Sequence, residues 1–292
     1  MDINTLIADN INGVAFILGH KYELPDSNAT QRIKIPYLFA IHRDNSKEVD
    51  YSVGNMKITS TRLPSKTRFS DYIGYSIIPL KKMRDESVRI ALYPTARNEN
   101  IDDELSLLFL KPLEKEIEGV TELHGVQQVA EHPVKNLIAT IGKDLSTISI
   151  DSKEIINSVE LPLARDKAFL DSEGKLSFSS CGRFIALSYT ISGEIEVRDA
   201  NTLDLMFTLE GLGIPQSDLD WDVTSKFLAC RFRSRKGSEY SLVVWDLRNR
   251  KIVLETKSSD INIVRNAFKW SSYSSKLASL VDKKRVEIFE FD

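Results

Sequence analysis

Apolar residues along this chain come in short runs of four to seven, separated by Gly, Asn, Asp, Ser and Lys. Many of the runs alternate with polar residues. Alternation puts every second side chain on one face of an extended strand, whereas a helix needs apolar positions three and four apart over several turns. Long stretches of the helical kind are missing, so the pattern predicts an all-β chain. In the C-terminal part, four segments share one order of elements: VQQVAEHPVKNLIATIGKDLSTISID (126–151), LSFSSCGRFIALSYTISGEIEVRD (176–199), SDLDWDVTSKFLACRFRSRKGSEYSLVVWD (217–246) and NAFKWSSYSSKLASLVDKKRVEIFEFD (266–292). In each, a strand runs into a polar turn (EHPVKN, SSCGR, DVTSK, SSYSSK) and a small-residue strand follows (LIAT, IALS, LACR, LASL). A variable turn then leads to an alternating strand that closes on or near an acid (ISID, EVRD, VVWD, EIFEF).

The small-residue strands begin near positions 137, 185, 228 and 277, giving spacings of 48, 43 and 49. That period is the length of a four-stranded propeller blade. Small residues let an inner strand sit close to the central channel, and alternation on the next strand suits a sheet packed between neighbours. Dividing the 292 residues by about 48 gives about six blades, or seven if some N-terminal ones are short. The expected fold is all-β, a single β-propeller domain over 1–292 with six or seven four-stranded blades. The blades are clear over 124–292 and weaker over 1–123. In the weaker part, RIALYP (89–94) and LSLLFL (105–110) read as second and third strands of one blade, and YLFAIH (37–42) as a further small-residue strand.

Trp245-Asp246, preceded by Leu242, Val243 and Val244, resembles the signature dipeptide of WD repeats. At the matching places stand Ile150-Asp151, Arg198-Asp199 and Phe289-Glu290. The resemblance covers about 124–292. The family's structural hydrogen-bond set needs His, Ser or Thr, Asp and Trp within one repeat. Here His124 and Asp144 fall near the expected places of one repeat, but Ile150 replaces the Trp. The network is largely missing, so the blades must adhere by apolar packing. Trp221 and Trp270 both end first strands and are read as packing between blades. The chain stops at Asp292, straight after the third strand of its last blade, so a fourth strand is expected from elsewhere. INTLIAD (3–9) is the first candidate; the alternative is a partner protein that donates a strand near Asp292, because an open strand edge invites pairing.

Charge and composition narrow the chemistry. With 39 Lys and Arg against 42 Asp and Glu the net charge is −3, which argues against nucleic-acid binding by the isolated domain. The N-terminus has no basic region before its short apolar stretch, and no apolar run is long enough to span a membrane. Two isolated cysteines, Cys181 and Cys230, suit a reduced compartment, so an intracellular protein, cytoplasmic or nuclear, is expected. Cys181 lies in a turn and should be exposed; Cys230 lies in a small-residue strand and should be buried.

No nucleophile elbow, phosphate-binding loop or dinucleotide fingerprint occurs, and GLGIPQ (211–216) reads as a loop between blades. His20, His42, His124 and His132 show no metal-ligand spacing, and His132-Pro133 reads as a solvated or capping histidine in a turn. No enzyme activity, metal or cofactor is expected.

What stands out is the charge of the second-to-third-strand turns, which one face of a propeller would gather. RFRSRKG (231–237) and DKKR (282–285) fall in adjacent blades and supply Arg231, Arg233, Arg235, Lys236, Lys283, Lys284 and Arg285. ENIDDE (99–104) makes the far arc acidic, and RNRK (248–251) falls in a turn on the opposite face. The basic arc is the expected protein-binding site. The expected function is a non-enzymatic scaffold that mediates protein–protein interaction within a multisubunit complex. Two alternatives stay open: a small-ligand or hydrolytic site at the mouth of the central channel, and contact with nucleic acid or phosphate groups through the basic arc.

Overall fold

In the computed structural model of the chain, the residues described are 2–11, 14–23, 33–43, 56–62, 74–80, 89–95, 104–111, 116–124, 126, 128–161, 175–188, 193–216, 219–234, 239–258, 268–282 and 285–292. Among them every regular element is a strand. The chain divides into two compact units, 1–97 with 104–123, and 98–103 with 124–292.

The first unit holds two antiparallel four-stranded sheets. One runs β1 (Asp2–Ile11), β2 (Val14–Glu23), β3 (Ile33–Arg43), β4 (Met56–Arg62); the other runs β5 (Gly74–Leu80), β6 (Arg89–Thr95), β7 (Glu104–Lys111), β8 (Glu116–His124). RIALYP and LSLLFL are the paired second and third strands of the second sheet, as expected. Leu107, Leu108, Phe109 and Leu110 of β7 are fully buried. YLFAIH lies in β3, a third strand of its sheet and not a second. The stretch 3–9 lies in β1, which opens the first sheet and pairs with β2 from Asp2↔His20 to Ile11↔Val14. This corrects the expectation that it completes the last sheet: its ladder partner is the strand that follows it in the chain.

The second unit carries the repeat as four sheets. Sheet I is β9 (Gln128–Glu131), β10 (Leu137–Ile141), β11 (Asp144–Ser149) and β12 (Ile155–Glu160). Sheet II is β13 (Lys175–Phe178), β14 (Phe184–Ser188), β15 (Ile195–Asp199) and β16 (Leu205–Leu209). Sheet III is β17 (Ile214–Pro215), β18 (Asp220–Trp221), β19 (Phe227–Arg233), β20 (Tyr240–Asp246) and β21 (Lys251–Ser258), with β17 and β18 side by side along β19. Sheet IV is β22 (Phe268–Trp270), β23 (Lys276–Asp282) and β24 (Arg285–Glu290). Among the described residues β24 has one ladder neighbour, β23.

Burial follows the place of each strand in its sheet. The third strands β11 and β20 are buried on both faces, whereas the outer strand β12 alternates between exposed and half-buried. Ala139, Ala186, Ala229 and Ala278 each stand third in their second strand, and the first three are fully buried. The small side chain there lets the next sheet approach closely. One apolar layer lies between each pair of consecutive sheets: Ile141, Leu145 and Phe178 with Leu187 between I and II, Val197 and Leu228 with Trp245 between II and III, and Val244 and Phe268 with Leu277 between III and IV. Trp221 stacks on Phe184 of sheet II with ring centroids 6.4 Å apart, and Trp270 stacks on Phe227 of sheet III at 6.2 Å. Both tryptophans therefore pack between sheets, as expected.

The turn that closes each third strand corrects one repeat assignment. Ala200 N donates to Arg183 O, Leu247 N to Lys226 O and Ile150 N to Asn136 O, which makes 150, 200 and 247 equivalent. The counterpart of Trp245-Asp246 in sheet I is therefore Ile148-Ser149, two residues before Ile150-Asp151. Ser149 fills the role of the acid: its Oγ accepts from Ser152 N at 3.0 Å, as Asp199 Oδ1 accepts from Asn201 N at 2.7 Å and Asp246 Oδ1 from Arg248 N at 2.9 Å. A register shift precedes this turn at the same place in all three sheets, between Thr147/Ile148, Val197/Arg198 and Val244/Trp245. The indole Nε1 of Trp245 is buried and finds no acceptor among the described residues, as the missing WD network implies.

Candidate interaction surface

Because every sheet is an antiparallel meander, each has two ends. The first-to-second and third-to-fourth turns lie at one end and the second-to-third turns at the other. The two ends are built differently.

At the first end, side chains tie the turns of consecutive sheets together. His132 Nδ1 accepts from Val134 N and Lys135 N at 3.0 and 2.9 Å, so the proton sits on Nε2, which donates to Gly182 O of sheet II at 2.9 Å. His132 is buried and tilted against Phe178 with centroids 4.9 Å apart. It caps its turn as expected, but it is enclosed and not solvated. Gly182 has φ +73, and a Cβ there would meet His132 Cε1 at 2.4 Å, so only glycine accommodates both the backbone and the ring.

Between sheets II and III, Ser180 Oγ donates to Asp222 O at 2.7 Å and Cys181 N donates to Ser225 Oγ at 3.0 Å. Asp222 is wholly buried. Its carboxylate accepts from Phe227 N at 2.8 Å, Thr224 N at 3.1 Å, the Thr224 hydroxyl, and Ser275 Oγ of sheet IV at 2.8 Å. Trp270 Nε1 adds a bond to Asp220 O at 3.0 Å. On top of this frame stand Val134, Cys181, Thr224 and Tyr273, each two residues past its turn's first residue (132, 179, 222, 271). All four are exposed, Tyr273 to 95%.

The Cys181 thiol is shifted. Partial burial pushes it up, but hydrogen bonds to the sulfur from Ser179, Ser225 and Arg183, by backbone and side chain, outweigh that and lower it to about 6. In the third-to-fourth turns of sheets II and III, Asp199 and Asp246 accept from backbone N–H groups two and three residues on. For Asp246, slight burial pushes the pKa up, yet Asn249, the Arg248 N–H and the Arg248 charge hold it below the usual carboxylate range. RNRK belongs to this end, as expected.

The turns named in the sequence as a basic arc fall at the second end, where three of the arc's seven residues are described: Arg231, Arg233 and Arg285. Arg233 closes β19 and is exposed. Arg285 opens β24, exposed and 3.6 Å from Glu287. Arg235, Lys236, Lys283 and Lys284 lie outside the described residues, as do residues 99–103 of ENIDDE. Arg231, which shares a face of β19 with Arg233, is buried, only 6% exposed, because residues of β20, β21 and β23 cover it. It lines a small cleft with Tyr240, Leu242, Thr256, Ser279 and Leu280, and burial holds its guanidinium below the ordinary value. GLGIPQ is a joint at this end. Ile214 and Pro215 form β17 against Arg233 and Phe232, and a Cβ on Gly211 would stand 1.8 Å from Gly193 O. The glycines there serve backbone approach between sheets II and III.

Among the described residues no group of three or more His, Cys, Asp or Glu side chains could hold a metal ion. Cys181 is exposed, Cys230 is buried, and neither forms a disulfide. Among the described residues no helix is long and apolar enough to cross a membrane.

Comparison with solved structures decides the architecture. A chain in the crystal structure of a mitotic checkpoint complex matches 100% of this chain and 77% of its own length at 12% identity, with a TM-score of 0.56. The Dos1 propeller matches 92% of this chain at 13% identity, with a TM-score of 0.57. The fold is a β-propeller. At such identities the likeness concerns the fold alone. The chain spans 66% of the Dos1 propeller and 54% of a hydrazine synthase chain from Kuenenia stuttgartiensis, the latter at 12% identity and a TM-score of 0.48. No protein-family model matches the chain, and no curated protein matches it in sequence.

Proposed function

We propose that this propeller is a non-enzymatic, WD-repeat-like scaffold that holds other proteins in a multisubunit complex inside the cell, in the cytoplasm or nucleus. The observation that carries the reading is the line of turn-to-turn hydrogen bonds through His132, Ser180, Asp222 and Ser275, which makes four consecutive sheets one rigid frame. A frame of this kind presents exposed loops at low entropic cost on binding. A propeller of similar fold sits in the mitotic checkpoint complex, which supports the assembly reading by analogy.

The proposed contact site is the basic arc: Arg233 and Arg285, with Arg235, Lys236, Lys283 and Lys284 on the same two turns, and Arg231 as the buried cation behind them. Its partner presents an acidic surface. Tagged full-length chain recovered gently from its own cells should bring a protein near one-to-one stoichiometry. Arg233→Glu with Arg235→Glu should then lose that protein at low salt. Recovery of a folded, solitary chain overturns the complex. Retention of the partner by the double variant overturns the arc.

A further inference from the structure

The four residues that open the first-to-second turns, His132, Ser179, Asp222 and Ser271, each cap their own turn from the side chain, but with different chemistry. Asp222 Oδ2 accepts from Thr224 N at 3.1 Å, Ser271 Oγ from Tyr273 N at 3.2 Å and Ser179 Oγ from Phe184 N at 3.0 Å. In the first turn the cap is an imidazole, and the same ring also makes the joint to the next sheet. A serine hydroxyl does not titrate in water, and an ordinary carboxylate does so at about 3.9, whereas an ordinary histidine changes charge at about 6.5. One joint of the frame is therefore made of a different class of group from the rest.

Both ring nitrogens of His132 are committed to the neutral form. Nδ1 accepts from Val134 N and Lys135 N, and Nε2 carries the ring proton that is given to Gly182 O. A second proton would place an N–H on Nδ1 against two backbone N–H groups, and both bonds would be lost. The ring has little space to turn and keep them: it is buried against Phe178, and the Gly182 backbone closes it on the other side. The described ionisable groups on the elements packed around it are Glu131 and Lys135 on its own turn, Asp151 on the adjoining turn, Lys175 on β13, and Cys181 and Arg183 on either side of Gly182. The three cations oppose a further positive charge among them. Asp151 is bonded to Asn136, and the Cys181 thiolate is neutralised below about 6, so acid removes an anion beside the joint while it adds a proton.

We propose that His132 is a proton-operated latch: uptake of a proton on Nδ1 as the pH falls below about 6.5 opens the turn joint between sheets I and II and leaves the other joints closed. Those are made by Ser180 Oγ on Asp222 O and Ser275 Oγ on the Asp222 carboxylate, and neither group class titrates in that range. In the unfolded chain the histidine takes its proton freely. Below about 6.5 the unfolded state thus holds one proton more than the latched state, and stability falls with the pH. The latch does not depend on what the propeller binds.

The test compares the full chain with His132→Asn, whose side-chain oxygen offers an acceptor to the turn and does not titrate. Between about pH 7.5 and about 5.5, the urea unfolding equilibrium constant of the parent should rise about tenfold more than that of the variant. His20, His42 and His124 are common to both chains and cancel. In the parent, hydrogen-exchange protection of the Val134 and Lys135 amides, corrected for the intrinsic effect of pH, should fall over this range. Protection of the Thr224 and Tyr273 amides, held by the equivalent bonds of sheets III and IV, should not. Ring-nitrogen chemical shifts of His132 in the folded parent need no variant: they should report the neutral Nε2–H form for as long as Val134 and Lys135 stay protected. An imidazolium formed with both amides still protected overturns the latch, as does a pH dependence that His132→Asn shares in full. Loss of protection at all four amides together overturns a local opening.

Discussion

The two ends of sheets I to IV solve one problem in different ways. Antiparallel sheets standing face to face must not slide. At the His132–Asp222 end they are held by directional bonds, from His132 and Ser180 to backbone carbonyls of the next sheet and from Ser275 to the buried Asp222 carboxylate. At the Arg231–Arg285 end the sheets meet through bare backbone at Gly193 and Gly211, and around a cleft lined by a buried guanidinium. Directional bonds tolerate little change, because each lost partner strands a buried polar group. Exposed termini of strands tolerate charge changes well. The first end therefore sets stability, and the second is freer to vary.

Substitutions can break this contrast. Asp222→Ala should have the largest effect, since it strands Phe227 N in the interior and takes the acceptor from the part-buried bonds of Thr224 N and Ser275 Oγ. We expect a loss of about 3 kcal/mol, read as a lower urea midpoint. His132→Ala should cost about 2 kcal/mol by freeing Gly182 O, Val134 N and Lys135 N. Gly182→Ala should cost a similar amount, because its Cβ would strike the His132 ring. In the His132→Ala background that clash is gone, so the second change should cost less than it does alone. A strictly additive double variant would show that the ring and the glycine are not coupled.

Chemistry at Cys181 offers a gentler probe. Below about pH 6 its thiol is protonated and inert, and above it the thiolate predominates. Iodoacetamide alkylation should therefore rise through about pH 6 and level off, against about 8.5 for an ordinary cysteine. Arg183→Gln removes one bond to the sulfur and should move the midpoint upward. A profile that still climbs between pH 8 and 9 would count against the turn geometry. The smallest effect belongs to the open end: Arg233→Glu should change the unfolding midpoint by no more than about 0.5 kcal/mol, whatever it does to binding. A change as large as that of His132→Ala would erase the distinction between the ends.

Much of this arrangement is legible in the sequence. The small-residue strands begin near 137, 185, 228 and 277, and the structure starts β10, β14, β19 and β23 within one residue of each. Alanine at 139, 186, 229 and 278 marks the close approach of sheets, and Trp221 and Trp270 reveal their packing by recurring at first-strand ends. The roles of His132 and Asp222 are not legible, because neither belongs to a repeated motif. One turn begins with His, the next with Ser and the third with Asp, and the sheets are joined through different atoms: His132 Nε2, Ser180 Oγ and the Asp222 carboxylate. Ile150-Asp151 misleads for a related reason: an acid follows an aliphatic residue there, but the hydrogen-bonded turn begins two residues earlier at Ser149.

The basic arc shows the limit of reading charge along a strand. Arg231 and Arg233 look alike in RFRSRKG, yet one is buried between sheets and the other exposed. They share a face of β19. The difference comes from the reach of β20, β21 and β23, which cover Arg231 and not the end of the strand. Along the chain, the period of small strands, the alternation and the polar turns determined an all-β repeat, because strand formation and sheet packing depend on local pattern. Tertiary structure alone decided which turn residues meet across sheets, that Asp222 is enclosed, and that Arg231 is covered where Arg233 is not. Those outcomes depend on contacts between residues 40 to 55 positions apart, such as His132 with Gly182 and Asp222 with Ser275, and no local pattern encodes them.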